Sequence, residues 1–192
     1  MTKLDRYRRF LTRHPRAFRA WCFLLWTIGK LVLFWRRPKL TDEDIERCYS
    51  VLSRCLFAVI GVGSRRFVTG WFLPRGKHDV EHTAVWIGSG VVVESVMPRV
   101  RALSLRRFLK QYDNVTIVAF RVLGWVDSSE YATQAIDRRY DVMFKAGKKT
   151  LYCHELAAEC LYAGGIDISP KNDFYVFDDL ADAGKVVLEI RK

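Results

Sequence analysis

The chain predicts an α+β fold, an antiparallel sheet packed against helices, on three observations. Strand-like runs cluster in the middle of the chain, at Arg66–Leu73, His82–Ile87, Val91–Val96 and Val115–Val122. Helical periodicity gathers outside them, so strands and helices are segregated along the chain. Charge is uneven. Residues 1–39 hold 11 Lys and Arg against the single acid Asp5, so that +10 of the formal net charge of +11 lies in the first fifth of 192 residues. One core-sized domain, residues 40–192, with an N-terminal basic and apolar helical arm, residues 1–39, is the simplest organisation.

The arm divides into a cationic stretch, Arg6 to Arg19, and an apolar one, Ala20 to Trp35, closed by Arg36-Arg37-Pro38. The apolar run has 16 residues, short of the roughly 20 that span a bilayer. Trp21, Trp26 and Trp35 are of the type favoured at the headgroup layer, and Arg36 and Arg37 suit an anionic surface. Association with an anionic membrane is the preferred expectation. A buried helix packed on the domain or on another subunit is the alternative. A cleaved secretory signal is disfavoured because Phe34-Trp35-Arg36-Arg37-Pro38 offers no small-residue cleavage site. Arg6–Arg19 has the charge to grip nucleic-acid phosphates, but no base-reading module accompanies it, so nucleic acid is not the expected partner.

Thr41-Asp42-Glu43-Asp44 is a capping-box start, and the helix it opens is expected to run to about Ile60 before Gly61-Val62-Gly63. Those two glycines follow a helix and lack a third, so they are no dinucleotide fingerprint. After the strands at 66–73, 82–87 and 91–96 comes a short amphipathic helix, Ser104 to Tyr112, then the strand at 115–122. Ser128 to Lys145 reads as helical, a helix from Cys153 ends at Gly164-Gly165, and Val186–Ile190 reads as the closing strand.

The turn between the second and third strands permits a register argument. Gly88-Ser89-Gly90 suits a three-residue loop with Gly90 in the left-handed conformation, which sets Ala84 opposite Glu94 and His82 opposite Val96. His82 and Glu94 then share a face as diagonal neighbours, whereas a two-residue loop would place them on opposite faces. Glu94 is a carboxylate in a valine run, and a histidine is a natural partner for it.

Cys153 stands in the first turn of a helix, where unpaired N–H groups and partial positive charge favour a thiolate and can lower a cysteine below its free value of about 8.5. The same helix carries Leu156, Ala157, Cys160, Leu161 and Gly164 on one stripe, so Cys153 also fits as a small core residue. Five cysteines, none at a C-x-x-C spacing, indicate a reducing compartment and no structural metal or other cofactor. Neither myristoylation nor prenylation signals are present.

Taken in order, His82-x-x-x-x-Ile87-Gly88, the Val92-x-Glu94 strand, Phe120-Arg121-Val122, Tyr140-Asp141-x-x-Phe144 and Tyr152-Cys153-x-Glu155-Leu156 resemble the permuted papain-like cysteine hydrolases. These form the YiiX-like branch of the NlpC superfamily, related to lecithin:retinol acyltransferase, and the histidine precedes the cysteine in them as it does here. The resemblance covers residues 64–190. It implies a permuted papain-like fold, with Cys153 as nucleophile, His82 as general base, Glu94 as the residue that orients the imidazole, and Tyr152 with the Cys153 N–H near the oxyanion. The expected activity is that of a membrane-associated thiol hydrolase or acyltransferase, facing the cytoplasm and cleaving an amide or ester of an amphiphilic substrate through an acyl-enzyme. The competing expectation is a catalytically silent papain-like scaffold that uses the arm to dock on a membrane or partner.

Overall fold

The structure, a computed structural model, describes Arg6, Arg9, Thr12, Arg13 and residues 39–63, 77–144, 149–170 and 174–192. The strand expected at Arg66–Leu73 and the arm residues Trp21, Trp26, Trp35, Arg36 and Arg37 lie outside the described residues. Among the described residues no helix is long and apolar enough to cross a membrane.

Helix α1 (Asp42–Leu52) starts as expected: Asp44 N–H donates to Thr41 Oγ1 at 3.2 Å, and Thr41 N–H donates to Asp44 Oδ2 at 2.8 Å. It ends eight residues before Ile60. Its apolar stripe stops at Leu52, and from Phe57 onward every residue to Gly63 is buried, which a one-sided surface helix cannot achieve. Residues Ala58–Gly63 are instead strand β1, covered on both faces. A strand covered on both faces reads as a continuous apolar run without alternation, and such a run is indistinguishable from buried helix by period alone. The glycines serve close approach: a Cβ on Gly61 would collide with the Phe177 ring, and one on Gly63 with the Asp79 carbonyl.

Strands β2 (His82–Trp86), β3 (Val91–Val96) and β4 (Arg99–Ser104) follow as a meander, and Ser104 caps helix α2 (Leu105–Leu109) through its hydroxyl. Strand β5 (Asn114–Ala119) returns beside β1. Helix α3 (Trp125–Gln134) begins three residues before Ser128 and stops well short of Lys145. Asp137 adopts φ 70°, a left-handed value that Asp tolerates, and the chain then pairs β6 (Arg139–Tyr140) with β4. Strand β7 (Thr150–Leu151) leads into helix α4 (Cys153–Ala163), and helix α5 (Phe177–Ala183) precedes β8 (Lys185–Arg191).

The eight strands form one sheet in the order β7-β6-β4-β3-β2-β1-β5-β8, antiparallel except for the β6–β7 pair. One face, with Val59, Val85, Val93 and Val118, packs on α4 through Leu156, Ala157, Cys160 and Leu161, and on α5 through Phe177 and Leu180. The other, with Ile60, Ala84, Trp86 and Val92, packs on α1 and α2 through Ile45, Cys48, Leu105 and Phe108. The fold is α+β, consistent with the permuted papain-like expectation.

Candidate active site

The β2–β3 turn sets the geometry. Gly88, Ser89 and Gly90 all have positive φ (90°, 50° and 79°), and Ile87 N–H donates to the Val91 carbonyl at 3.3 Å. Ala84 therefore faces Glu94 in the ladder, as the three-residue loop requires. His82 and Glu94 emerge on one face, and His82 Nε2 meets Glu94 Oε2 at 2.7 Å. Both are buried, at 8% and 1% exposure, so this contact lies in a low-dielectric setting where it is strong.

Glu94 is held a second time. Arg101, directly opposite on β4, donates Nε–H to Oε1 at 2.8 Å, with its Nη2 at 2.7 Å from the same oxygen. Burial alone would raise the carboxyl, but His82 and Arg101 together hold it below the ordinary carboxylate range. The imidazole is also fixed by aromatic rings. Tyr112 stacks on it at 6.2 Å between centroids and 24° between planes, and Phe108 lies at 6.0 Å. With Nε2 committed to Glu94, Nδ1 is the nitrogen left to exchange a proton with a thiol.

Cys153 comes to this imidazole from the first residue of α4. That helix is tied to the sheet by Ser95 Oγ, which donates to the Leu151 carbonyl two residues before the cysteine, and by Glu155, whose carboxylate accepts the Tyr152 N–H at 3.3 Å. Cys153 is buried, yet it belongs to none of the three apolar clusters, while Cys160 sits fully inside one. The surroundings separate the thiols chemically. Burial pushes Cys48 up to about 12 and raises Cys55 and Cys160, whereas Cys153 lies well below the ordinary thiol range because His154 and His82 outweigh the burial that opposes its charge. His82 moves the other way: burial disfavours the imidazolium, but Cys153 and Glu94 raise it to about 10. A thiolate beside an imidazolium that is oriented by a carboxylate is an arrangement able to attack a carbonyl carbon and then protonate a leaving group.

A family model described as permuted papain-like amidase enzyme, YaeF/YiiX, C92 family, matches residues 58–188. The chain belongs to that family. As a permuted papain-like amidase family member it is of the cysteine hydrolase class, and α1 and everything before it lie outside the matched segment. No curated protein and no solved structure matches the chain.

The remaining expected site residue is placed differently from the others. The Tyr152 ring is fully buried against Phe144 at 5.3 Å, in a cluster with Phe174, and its hydroxyl accepts the Tyr175 N–H. The side chain thus anchors the start of α4. Arg121, an exposed side chain just after β5, takes no part in the His82–Glu94 pair; the arginine that does is Arg101. Arg101 was discoverable: Arg99-Val100-Arg101 alternates charged and apolar residues as a half-exposed strand does, directly after a Met97-Pro98 turn. Among the described residues no group of three or more His, Cys, Asp or Glu is disposed to hold a metal ion.

Proposed function

We propose that the protein is a membrane-associated thiol hydrolase or acyltransferase that cleaves an amide or ester of an amphiphilic substrate through an acyl-enzyme on Cys153. The observation that carries this reading is the Glu94–His82 contact of 2.7 Å beside a helix-start cysteine held below the ordinary thiol range. The Cys153 thiolate forms an S–C bond to the substrate carbonyl carbon, and the π pair of the broken C=O double bond moves onto the oxygen, where the N–H groups of the α4 start receive the developing charge. The intermediate collapses with cleavage of the C–N or C–O bond, and the His82 imidazolium gives its proton to the departing amine or alkoxide. The thioester remains. His82, now neutral, takes a proton from water or from another acyl acceptor as that group adds to the thioester, and the thiolate leaves. Glu94 keeps the imidazole oriented and favours its charged form throughout.

Membrane association rests on the arm and on where it joins the domain. Leu40 is buried, and its N–H donates to the Tyr112 carbonyl at 3.1 Å, while the ring of Tyr112 stacks on His82. An arm lying on a membrane through Trp21, Trp26 and Trp35 would therefore hold the domain by the end that carries the site, facing a reducing compartment. Such an attachment favours substrates that partition into the bilayer surface.

Incubation of the full chain with a medium-chain p-nitrophenyl ester, followed by acid quench and peptide mass analysis, tests the chemistry. One acyl adduct on Cys153 is the expected result. An adduct on another residue, or none under conditions where the ester is consumed, rejects it.

A further inference from the structure

The Cys153 sulfur has a second imidazole beside it. His154 Nδ1 lies 3.4 Å from Sγ, a hydrogen-bonding distance for sulfur, and the ring is buried at 4% exposure. Consecutive helix residues do not ordinarily face one another, yet here the two side chains meet. Its far nitrogen, Nε2, is buried without a hydrogen-bond partner among the described residues. A buried polar atom left unpaired is costly, and where one persists it calls for a functional account. The charged and titratable groups that act electrostatically on this cysteine besides His154 are His82, with Glu94 and Arg101 behind it, and more weakly Tyr112 and Tyr152; the Glu155 carboxylate, on the same helix turn, is taken by the Tyr152 N–H.

We propose that His154 is a further catalytic residue, a second imidazole that hydrogen-bonds the reacting sulfur and holds it as a thiolate independently of His82. The inference rests on Cys153 being the nucleophile. Two duties that a single histidine would have to combine are divided here. His82, paired with Glu94, can accept and deliver protons to leaving group and acyl acceptor, while His154 donates Nδ1–H to sulfur and favours its charged form before attack and again as the thiolate leaves the acyl-enzyme. A neutral ring that donates through Nδ1 carries its lone pair on Nε2.

The test is the pH dependence of iodoacetamide alkylation at Cys153, followed by mass spectrometry in the full chain, for the unmodified protein, His82→Ala, His154→Ala, His154→Asn and His82→Ala/His154→Ala. Thermal melts monitor folding, and His154→Asn keeps the size and one hydrogen-bonding group if the alanine variant fails to fold. His82→Ala should retain alkylation at pH 6, and adding His154→Ala should cut it by a further factor of about ten or more, with the midpoint moving up by at least about one pH unit. His154→Asn should show an upward shift in the same direction. Profiles of both His154 variants that superimpose on the unmodified protein, or loss of all pH 6 reactivity in His82→Ala alone, overturn the role of His154 while leaving Cys153 as nucleophile. A Cys153 that is unreactive at pH 6 in the unmodified protein overturns both.

Discussion

Glu94 and Arg101 face each other across the β3–β4 ladder, so the carboxylate that orients the His82 imidazole is itself oriented by a guanidinium from the neighbouring strand. The order of strands explains the arrangement: β2, β3 and β4 are consecutive in the sheet, and His82, Glu94 and Arg101 project from them in a row. Each oxygen of Glu94 has a different partner, which leaves the carboxylate no freedom to rotate away from the imidazole.

Arg101→Met should therefore impair turnover without touching a reacting group. The guanidinium is half exposed, so water screens and partly replaces it, and the loss should be milder than for a change at Glu94, about tenfold in kcat, or about 1.4 kcal/mol in the barrier. In a Glu94→Gln background the same change should add little, because its effect is transmitted through the carboxylate. Steady-state kinetics of the double-mutant cycle check this; additive losses would mean that Arg101 acts on the substrate directly.

Cys153→Ser should abolish turnover and leave the fold intact, since a hydroxyl is not ionised by a helix start and two imidazoles. Cys160→Ser should retain activity at a stability cost of about 1–3 kcal/mol, because it introduces a hydroxyl at a fully buried position of the α4 core. Turnover of the test ester and thermal melts separate the two, and equal loss of activity in both variants would reject a single nucleophile.

Asp44 connects the α1 cap to the last residue of the sequence. Its carboxylate accepts the Thr41 N–H and meets Lys192 Nζ at 2.8 Å; burial opposes its charge, but Lys192 and Thr41 prevail and hold it at about 2 against an ordinary value of 3.8. A folded-state value below the unfolded one stabilises fully above about pH 3.8 and ceases to do so as pH falls through about 2. Asp44→Asn should cost about 1 kcal/mol at neutral pH, as loss of a charged cap does, and the difference from the parent should vanish in that acid window. Denaturant melts at pH 7 and pH 2 measure it. A difference that persists unchanged at pH 2 would show that the charge is not what stabilises.

What could be read from residues alone was what depends on local chemistry. The turn glycines specify the β2–β3 register, and from it follow the shared face of His82 and Glu94 and their contact. Thr41 and Asp44 announce the start of α1, and Cys153 marks the start of α4. What could not be read depends on the second layer of packing. Ala58–Gly63 lies between helices on both faces, so its apolar run carries no period to identify it as β1. Phe177–Ala183 is a short helix whose placement is decided by Phe177 meeting the bare backbone of Gly61, a contact 116 residues away in sequence. His154 was masked by its neighbour: beside a helix-start cysteine, an imidazole one residue on is expected to point elsewhere, and only the folded ring shows that it does not.

Removal of residues 1–39 should leave a near-neutral domain that no longer sediments with anionic vesicles, since +10 of the net charge and Trp21, Trp26 and Trp35 leave together. Leu40 is retained because its backbone is bonded to Tyr112 beside His82. The truncated chain should hydrolyse a soluble p-nitrophenyl ester at an unchanged rate and lose its advantage on the same acyl group presented in vesicles. A full chain that ignores anionic vesicles and binds DNA with a steep salt dependence would reassign the arm to nucleic acid.

Glu94→Gln makes the sharpest demand on the site, because it keeps shape and a hydrogen bond while removing one charge. In the parent, Glu94 helps to raise His82 to about 10, so the imidazolium survives to alkaline pH and the thiolate–imidazolium pair spans the range between the lowered Cys153 and the raised His82. Without the carboxylate charge the imidazole loses its proton at lower pH. The alkaline limb of the kcat profile should accordingly move toward neutrality, while the acid limb, set by Cys153 with His154 still beside it, should move less. At pH 7 the loss should be about ten- to a thousandfold in kcat with KM nearly unchanged, because the interaction strengthens as the imidazole gains charge rather than when substrate binds. Glu81→Gln, one residue before His82 and of opposite strand parity, should leave both limbs in place. A Glu94→Gln enzyme whose alkaline limb stays where it was would show that the carboxylate does not govern the imidazole, whatever the loss in rate.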